Sequence, residues 1–201
     1  MRVIAGEFRG RRLVAVKGCE TRPILDRAKE SLFGIIGDEI RGARVLDLFC
    51  GSGTMAIESL SRGAKSAVLV DISRGARTAA WRNITTLDIA DRVEFIGADA
   101  CRAVRKLAER SEQFDVVFVD PPYFGEFAGP VLTAIHDGGL LQREGLLVLR
   151  HHKKESPENQ AVGWAVVRRR QIGDGILTFF RLPENSPTTT MTTDTETAER
   201  E

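Results

Sequence analysis

Residues 45–54 constrain the chain more than any other stretch. Val45-Leu46-Asp47-Leu48-Phe49 is an apolar run broken only by Asp47, and it leads straight into Cys50-Gly51-Ser52-Gly53-Thr54. A run with so little polar alternation reads as a parallel strand covered on both faces. Gly51 and Gly53 allow the backbone to turn sharply and to come close to a ligand. A helix is expected from near Thr54, with Met55, Ala56, Ile57 and Leu60 on its apolar side and its free N–H groups facing whatever sits in the turn. By itself, Gly-x-Gly serves either a cofactor or a plain strand-to-helix connection.

Later residues weigh on that choice. Asp71 ends the next apolar strand, Ala67-Val68-Leu69-Val70, 18 positions after Gly53, about the separation at which an acidic side chain takes the two hydroxyls of a ribose. Asp99 follows a third strand, Val93-Glu94-Phe95-Ile96-Gly97. A fourth, Val116-Val117-Phe118-Val119, closes on Asp120-Pro121-Pro122-Tyr123. Two successive prolines stiffen the turn and remove two N–H groups, so an aspartate, a rigid carbonyl and an aromatic face are presented together. Such a set could grip a planar amine, although Pro-Pro after a strand is also simply a rigid loop.

From residue 43 the chain alternates strand and helix as a doubly wound sheet does. Strands are expected near 44–49, 66–71, 93–97 and 114–119, and helices near 54–62, 74–87, 100–110 and 127–137. A fifth strand at 146–149 is followed by two more, 165–170 and 175–180. Only a short turn around Gly173 separates this last pair, which should be antiparallel. In such sheets ligands bind at the carboxyl ends of the strands, where the aspartates fall.

The front of the chain is basic. Arg2, Arg9, Arg11, Arg12, Lys17, Arg22, Arg27 and Lys29 stand against Glu7, Glu20 and Asp26, while the net charge of the 201 residues is only +1. A hairpin of strands 3–5 and 13–16 with arginines at its tip is expected. A helix follows, capped by Thr21 and with Pro23 in its first turn, whose polar face offers Arg22, Arg27 and Lys29 to a substrate. A basic segment is either a phosphate-binding surface or a solvated charged face. The length suits one domain over residues 1–182, with 1–42 as an extension and 43–182 as the core, and the acidic, threonine-rich residues 183–201 as a disordered tail. Three widely spaced cysteines suit a reducing cytoplasm and no disulfide framework. No metal, signal segment or membrane span is implied, and a monomer is expected.

Asp-x-Phe-x-Gly-x-Gly at Asp47, the strand-end acids and Asp-Pro-Pro-Tyr at Asp120 resemble the motif series of S-adenosylmethionine-dependent amino-methyltransferases. Arg2-Val3-Ile4-Ala5-Gly6, Arg9-Gly10-Arg11, Thr21-Arg22-Pro23, Asp26-Arg27, Glu30-Ser31-Leu32-Phe33 and Leu60-Ser61-Arg62-Gly63-Ala64 narrow the resemblance to the RsmD family. It covers residues 1–182. That family methylates the N2 amine of a guanine, usually named guanine 966, in bacterial 16S ribosomal RNA.

The resemblance implies an α/β, Rossmann-like class I methyltransferase sheet, mostly parallel with an antiparallel last strand, preceded by an N-terminal β-hairpin and helix. It implies S-adenosylmethionine as cofactor. Asp47, Gly51 and Gly53 would hold its methionine part, Asp71 its ribose, and Asp99 with the Ala100 backbone its adenine. Asp120, Pro121, Pro122 and Tyr123 would form the catalytic turn, with Tyr123 stacking on the base. The partner would be 16S rRNA or a 30S assembly particle, held by Arg9, Arg11, Arg12 and Arg22. Ile24 and Gly34 stand where the family commonly has threonine and asparagine, and Asp71 where glutamate is frequent. Competing readings are an adenine-N6 methyltransferase, which uses the same Asp-Pro-Pro-Tyr, a nicotinamide-dependent dehydrogenase, and a non-catalytic RNA-binding scaffold.

Overall fold

The computed structural model of the protein describes residues 1–16 and 26–184. Seven strands form one sheet: β1 (Arg44–Leu48), β2 (Ser66–Val70), β3 (Val93–Ile96), β4 (Phe114–Val119), β5 (Leu141–His152), β6 (Ala165–Ile172) and β7 (Gly175–Arg181). Their order is β3-β2-β1-β4-β5-β7-β6. The first five run parallel, and β7 is antiparallel to both β5 and β6. The helices are α1 (Asp26–Ile36), α2 (Thr54–Ser61), α3 (Arg74–Leu87), α4 (Ala100–Glu109) and α5 (Ala128–Asp137). None of the described helices is long and apolar enough to cross a membrane.

Strand alternation divides the core into two layers. Val45, Leu69, Phe118, Val148 and Leu177 pack with α1, α2 and α3 on one face. Leu46, Val70, Val119, Leu149 and Phe180 pack with α4 and α5 on the other. Asp47 shares the face of Val45, which puts its carboxylate beneath the first turn of α2. Strand β5 is longer than the expected 146–149. Its pairing with β4 jumps from Phe114↔Leu141 to Val116↔Leu146, so residues 142–145 loop out, and Arg181 holds the loop through the Glu144 and Gly145 carbonyls.

The N-terminal hairpin is smaller than expected. Instead of strands at 3–5 and 13–16 there is one antiparallel bridge, Arg2↔Arg12. The reason is competition for backbone groups: Glu58 of α2 accepts the Ile4 and Ala5 N–H groups, and Asn83 of α3 bonds both the N–H and the carbonyl of Val14. These groups are therefore satisfied without a ladder. Glu58 is buried and also meets Arg62 and Lys29. Lys29, expected on the substrate-facing side of the first helix, is instead fully buried, with its Nζ on the Arg2 carbonyl and beside Asp26 and Glu58. Burial lowers its pKa, while the two carboxylates act to keep the charge. Gly6 (φ +82°) is forced by close approach, since a Cβ there would fall 1.8 Å from the Ser61 carbonyl oxygen. Arg22, Thr21, Pro23, Ile24 and residues 185–201 of the tail expected over 183–201 lie outside the described residues.

Candidate active site at the strand ends

The carboxyl ends of β1, β2 and β4 are laced together by main-chain bonds: Cys50 N–H to the Val70 carbonyl, Asp71 N–H to Ile96, and Asp120 N–H to Leu48. The glycine turn, Asp71 and Asp120 thus share one edge. The two glycines do different things. Gly53 (φ +77°) has the Leu69 side chain 2.8 Å from where its Cβ would be, so it allows close packing of α2 on β2. Gly51 (φ +54°) meets no atom within 4 Å and borders open space.

Asp71 stabilises this turn. Its Oδ2 accepts the Gly51 N–H at 2.9 Å and its Oδ1 the Ser73 N–H at 2.8 Å. Each carboxylate oxygen can accept more than one bond, so capacity remains on a half-buried group. Asp47 is buried and accepts the Ala56 N–H at 3.0 Å, satisfying an orphan donor in the first turn of α2. Burial raises its pKa to about 8; the Ala56 bond opposes the rise and the Asp120 and Asp71 charges add to it. Asp99 is exposed and caps α4 by accepting the Arg102 N–H, and Ala100 is buried behind it.

Asp120 has a partner that the sequence reading missed. Val119 pairs with Leu149, so the next residues along, Asp120 and Arg150, come side by side. Arg150 Nε donates to Asp120 Oδ1 at 2.6 Å, and the two side chains are 19% and 22% exposed in that order. Burial raises the Asp120 pKa and the guanidinium works against that rise. Asp120 Oδ2 accepts no hydrogen bond among the described residues. The detectable signal for Arg150 was the pattern that marked Asp71, a polar residue ending the apolar run 146–149.

Pro121 is buried, Pro122 exposed and Tyr123 half-buried. The Arg150 guanidinium lies 5.3 Å from the Tyr123 ring centre and takes part of that ring. Exposed Phe124, in the left-handed region at φ 60°, packs on His152 with ring centres 4.6 Å apart. Glu155 fixes the loop by accepting the Phe124 and His152 N–H groups. Inward of Asp120, Leu32, Met55, Phe118, Val148 and Leu177 close a cavity of about 10 Å³, room for about one water, so a ligand approaches from the outer side.

The hairpin arginines lie elsewhere. α2 starts at the glycine turn and ends at Ser61, and it is Ser61 that accepts the Glu7 and Phe8 N–H groups. Arg11 reaches the Thr86 carbonyl near the end of α3. Arg9 and Arg11 therefore stand at the opposite end of the helices from Asp120. Arg12 is exposed beside the bridge to Arg2.

A sheet of this order, with a glycine turn after its first strand and acids at the strand ends, is that of the class I S-adenosylmethionine-dependent methyltransferases. The family model described as "Conserved hypothetical protein 95" matches residues 1–181. The chain belongs to this family, the RsmD family. It is 40% identical to the putative rRNA methyltransferase YlbH of Bacillus subtilis, over 85% of this chain and 92% of that protein. It is 30% identical to ribosomal RNA small subunit methyltransferase D of Escherichia coli, over 86% of this chain and 85% of that one. The solved structure of putative methyltransferase yhhF from Escherichia coli superposes with a TM-score of 0.77 at 27% identity, covering 90% and 97% of the two chains. The chain is a methyltransferase.

Proposed function

We propose that the protein transfers the methyl group of S-adenosylmethionine to the exocyclic N2 amine of a guanine in 16S ribosomal RNA, guanine 966 by family resemblance. The observation that carries the reading is Asp120, a strand-end carboxylate beside the glycine turn with one oxygen tied to Arg150 and the other uncommitted. The names of the relatives, which specify ribosomal RNA and in one case the small subunit, supply the substrate class.

The residues present fit the cofactor. Open space at Gly51, acceptor capacity on Asp71 and the capped start of α4 at Asp99 and Ala100 suit a methionine chain, a ribose and an adenine in turn. Gly53 and Asp47 contribute by shaping the turn, the first through packing and the second by bonding the start of α2. When bound, the cofactor supplies a methyl group already activated on a sulfonium.

The protein's own task is then to prepare a poor nucleophile. A guanine amine shares its lone pair with the ring, and it becomes nucleophilic as it turns tetrahedral and gains positive charge. Asp120 Oδ2 and the Pro121 carbonyl, held stiff by Pro122, accept hydrogen bonds that strengthen along that path. Arg150 favours the charged form of Asp120, so that it acts as an acceptor. Tyr123 offers the ring face not covered by Arg150 for stacking. A base within a helix must be flipped out to reach this turn.

The test is transfer of a labelled methyl group to 16S rRNA and to 30S particles, followed by nuclease digestion and mass spectrometry. N2-methylguanosine at a single position is expected. N6-methyladenosine would overturn the guanine assignment, and cofactor binding without transfer to either substrate would make the chain a scaffold.

A further inference from the structure

We infer that the cleft between α1 and the edge strand β6 binds a backbone phosphate of the RNA flanking the target base, a role that rests on the rRNA reading above. Sheet register leads from the site to this cleft. Asp120 lies beside Arg150, Arg150 pairs with Leu177, and Leu177 pairs with Arg170. In-register neighbours point to the same face, so this row runs along the α1 side of the sheet for three strand spacings, about 14 Å. It ends in a cleft of about 260 Å³ lined by Arg27, Ser31, Arg170, Gln171, Ile172 and Gly173.

Its lining is chosen for an anion. Arg27 from α1 and Arg170 from β6 converge from separate elements, Ser31 adds a neutral donor, Gln171 turns its amide to the Gly173 carbonyl, and no carboxylate is among the described lining residues. The acid of the adjoining turn, Asp174, pairs with Lys153 at 2.8 Å. Neither Arg27 nor Arg170 has an ion-pair partner among the described residues. Arg168 sits two positions before Arg170 on the same face, about 7 Å back along the strand, and continues the basic line away from the site.

Charges on an edge strand also discourage unwanted strand pairing, and that accounts for arginines somewhere on β6. It does not account for a second arginine reaching the same cleft from α1. The location fits a single strand whose target base enters the site from the outer side while its backbone continues over the sheet edge. The hairpin tip, at the far end of α2 and α3, is not on that route.

The test compares binding of a 16S rRNA transcript by wild type, an Arg27→Gln/Arg170→Gln double variant and a Lys106→Gln control on α4, over a range of salt, with S-adenosylmethionine affinity measured beside it. For a single-stranded contact each lost phosphate pairing removes about 0.7 from the slope of log affinity against log salt. The double variant should lose about 0.7, the share of one phosphate, with cofactor affinity and melting temperature as in wild type. A double Lys variant should keep most of the slope. An unchanged slope in the double Gln variant, or an equal loss in Lys106→Gln, overturns the cleft while leaving methyl transfer to RNA intact. Failure of wild type to methylate RNA would overturn the reading on which the cleft rests, and the cleft with it.

Discussion

Replacing Arg150 by methionine removes the guanidinium from Asp120 while keeping an apolar stem of similar reach, and leaves a carboxylate about four-fifths buried with no counter-charge. Breaking one side of a buried pair costs about 3 kcal/mol at the lower end of the usual range, the end suited to groups that keep some contact with water. For a chain of this size that is a fall in melting temperature of about 6 to 12 °C. The loss depends on pH, and its sign follows from the direction of the shift. Burial already holds the Asp120 pKa above the ordinary carboxylate value. Its contribution to stability is therefore full below the unfolded value and is lost as pH rises through the folded one. Without Arg150 the folded value rises further, so the variant's deficit should be small in acid and grow toward neutral pH. Activity should follow the same group, because only the ionised carboxylate is a full acceptor for the amine: the acid limb of the profile of kcat/KM against pH moves to higher pH. Arg150→Lys keeps the charge and should recover part of both losses. Melting curves from pH 5 to 9 beside single-turnover methylation over the same range are the assay. A deficit independent of pH together with an unmoved acid limb would refute the view that Arg150 governs the ionisation of Asp120.

Other outcomes follow from the same edge of the sheet. Asp120→Ala should slow methyl transfer about a hundredfold, as loss of one transition-state hydrogen bond does, with cofactor binding retained; equal loss of binding in calorimetry would move Asp120 to the cofactor pocket. On the proposed cofactor reading Asp71→Ala should weaken S-adenosylmethionine by about 1.5 to 3 kcal/mol, through loss of the proposed ribose acceptor and of the bond that holds the Gly51 turn; unchanged affinity removes it from the site. Gly53→Ala should destabilise the fold by at least about 2 kcal/mol from its left-handed backbone and the Leu69 clash, whereas Gly51→Ala should cost only about 1 kcal/mol of stability. Equal melting temperatures would deny the two glycines separate roles. Asp47→Asn keeps an acceptor for Ala56 and removes an ionisation displaced to about 8. The free wild-type protein should lose about 1.4 kcal/mol per pH unit between about pH 4 and 8 from this group, and the variant should not; parallel stability curves would contradict it.

Periodicity located the elements of the core closely, because buried runs and glycine turns report on local structure. α3 and β4 begin and end where expected, and α2 stops one residue early. What local pattern cannot report is which distant side chain claims a backbone group. Val3, Ile4 and residues 13–16 carry a strand pattern, but Glu58 takes the Ile4 and Ala5 N–H groups and Asn83 that of Val14 from more than fifty residues away. Lys29 looked like a solvent-facing cation until Glu58 gave it a buried partner. Arg150 was visible as a polar strand end, yet its contact with Asp120 follows only from the β4–β5 register. The hairpin arginines suggest a substrate contact by composition, but α2 carries the chain away from the site before Ser61 meets the hairpin, a direction that local pattern does not report.

The stitching of the first residues to Glu58 and Asn83 also sets an order of events during synthesis. Ile4 and Val14 reach their partners across 54 and 69 positions of chain. At translation speeds of about 5 to 20 residues per second, the Ile4 N–H waits about 3 to 11 s after its own synthesis before Glu58 is even made. Residues 4–14 are thus made before α2 and α3 yet are among the later parts of the domain to dock, since their partners are not there to receive them.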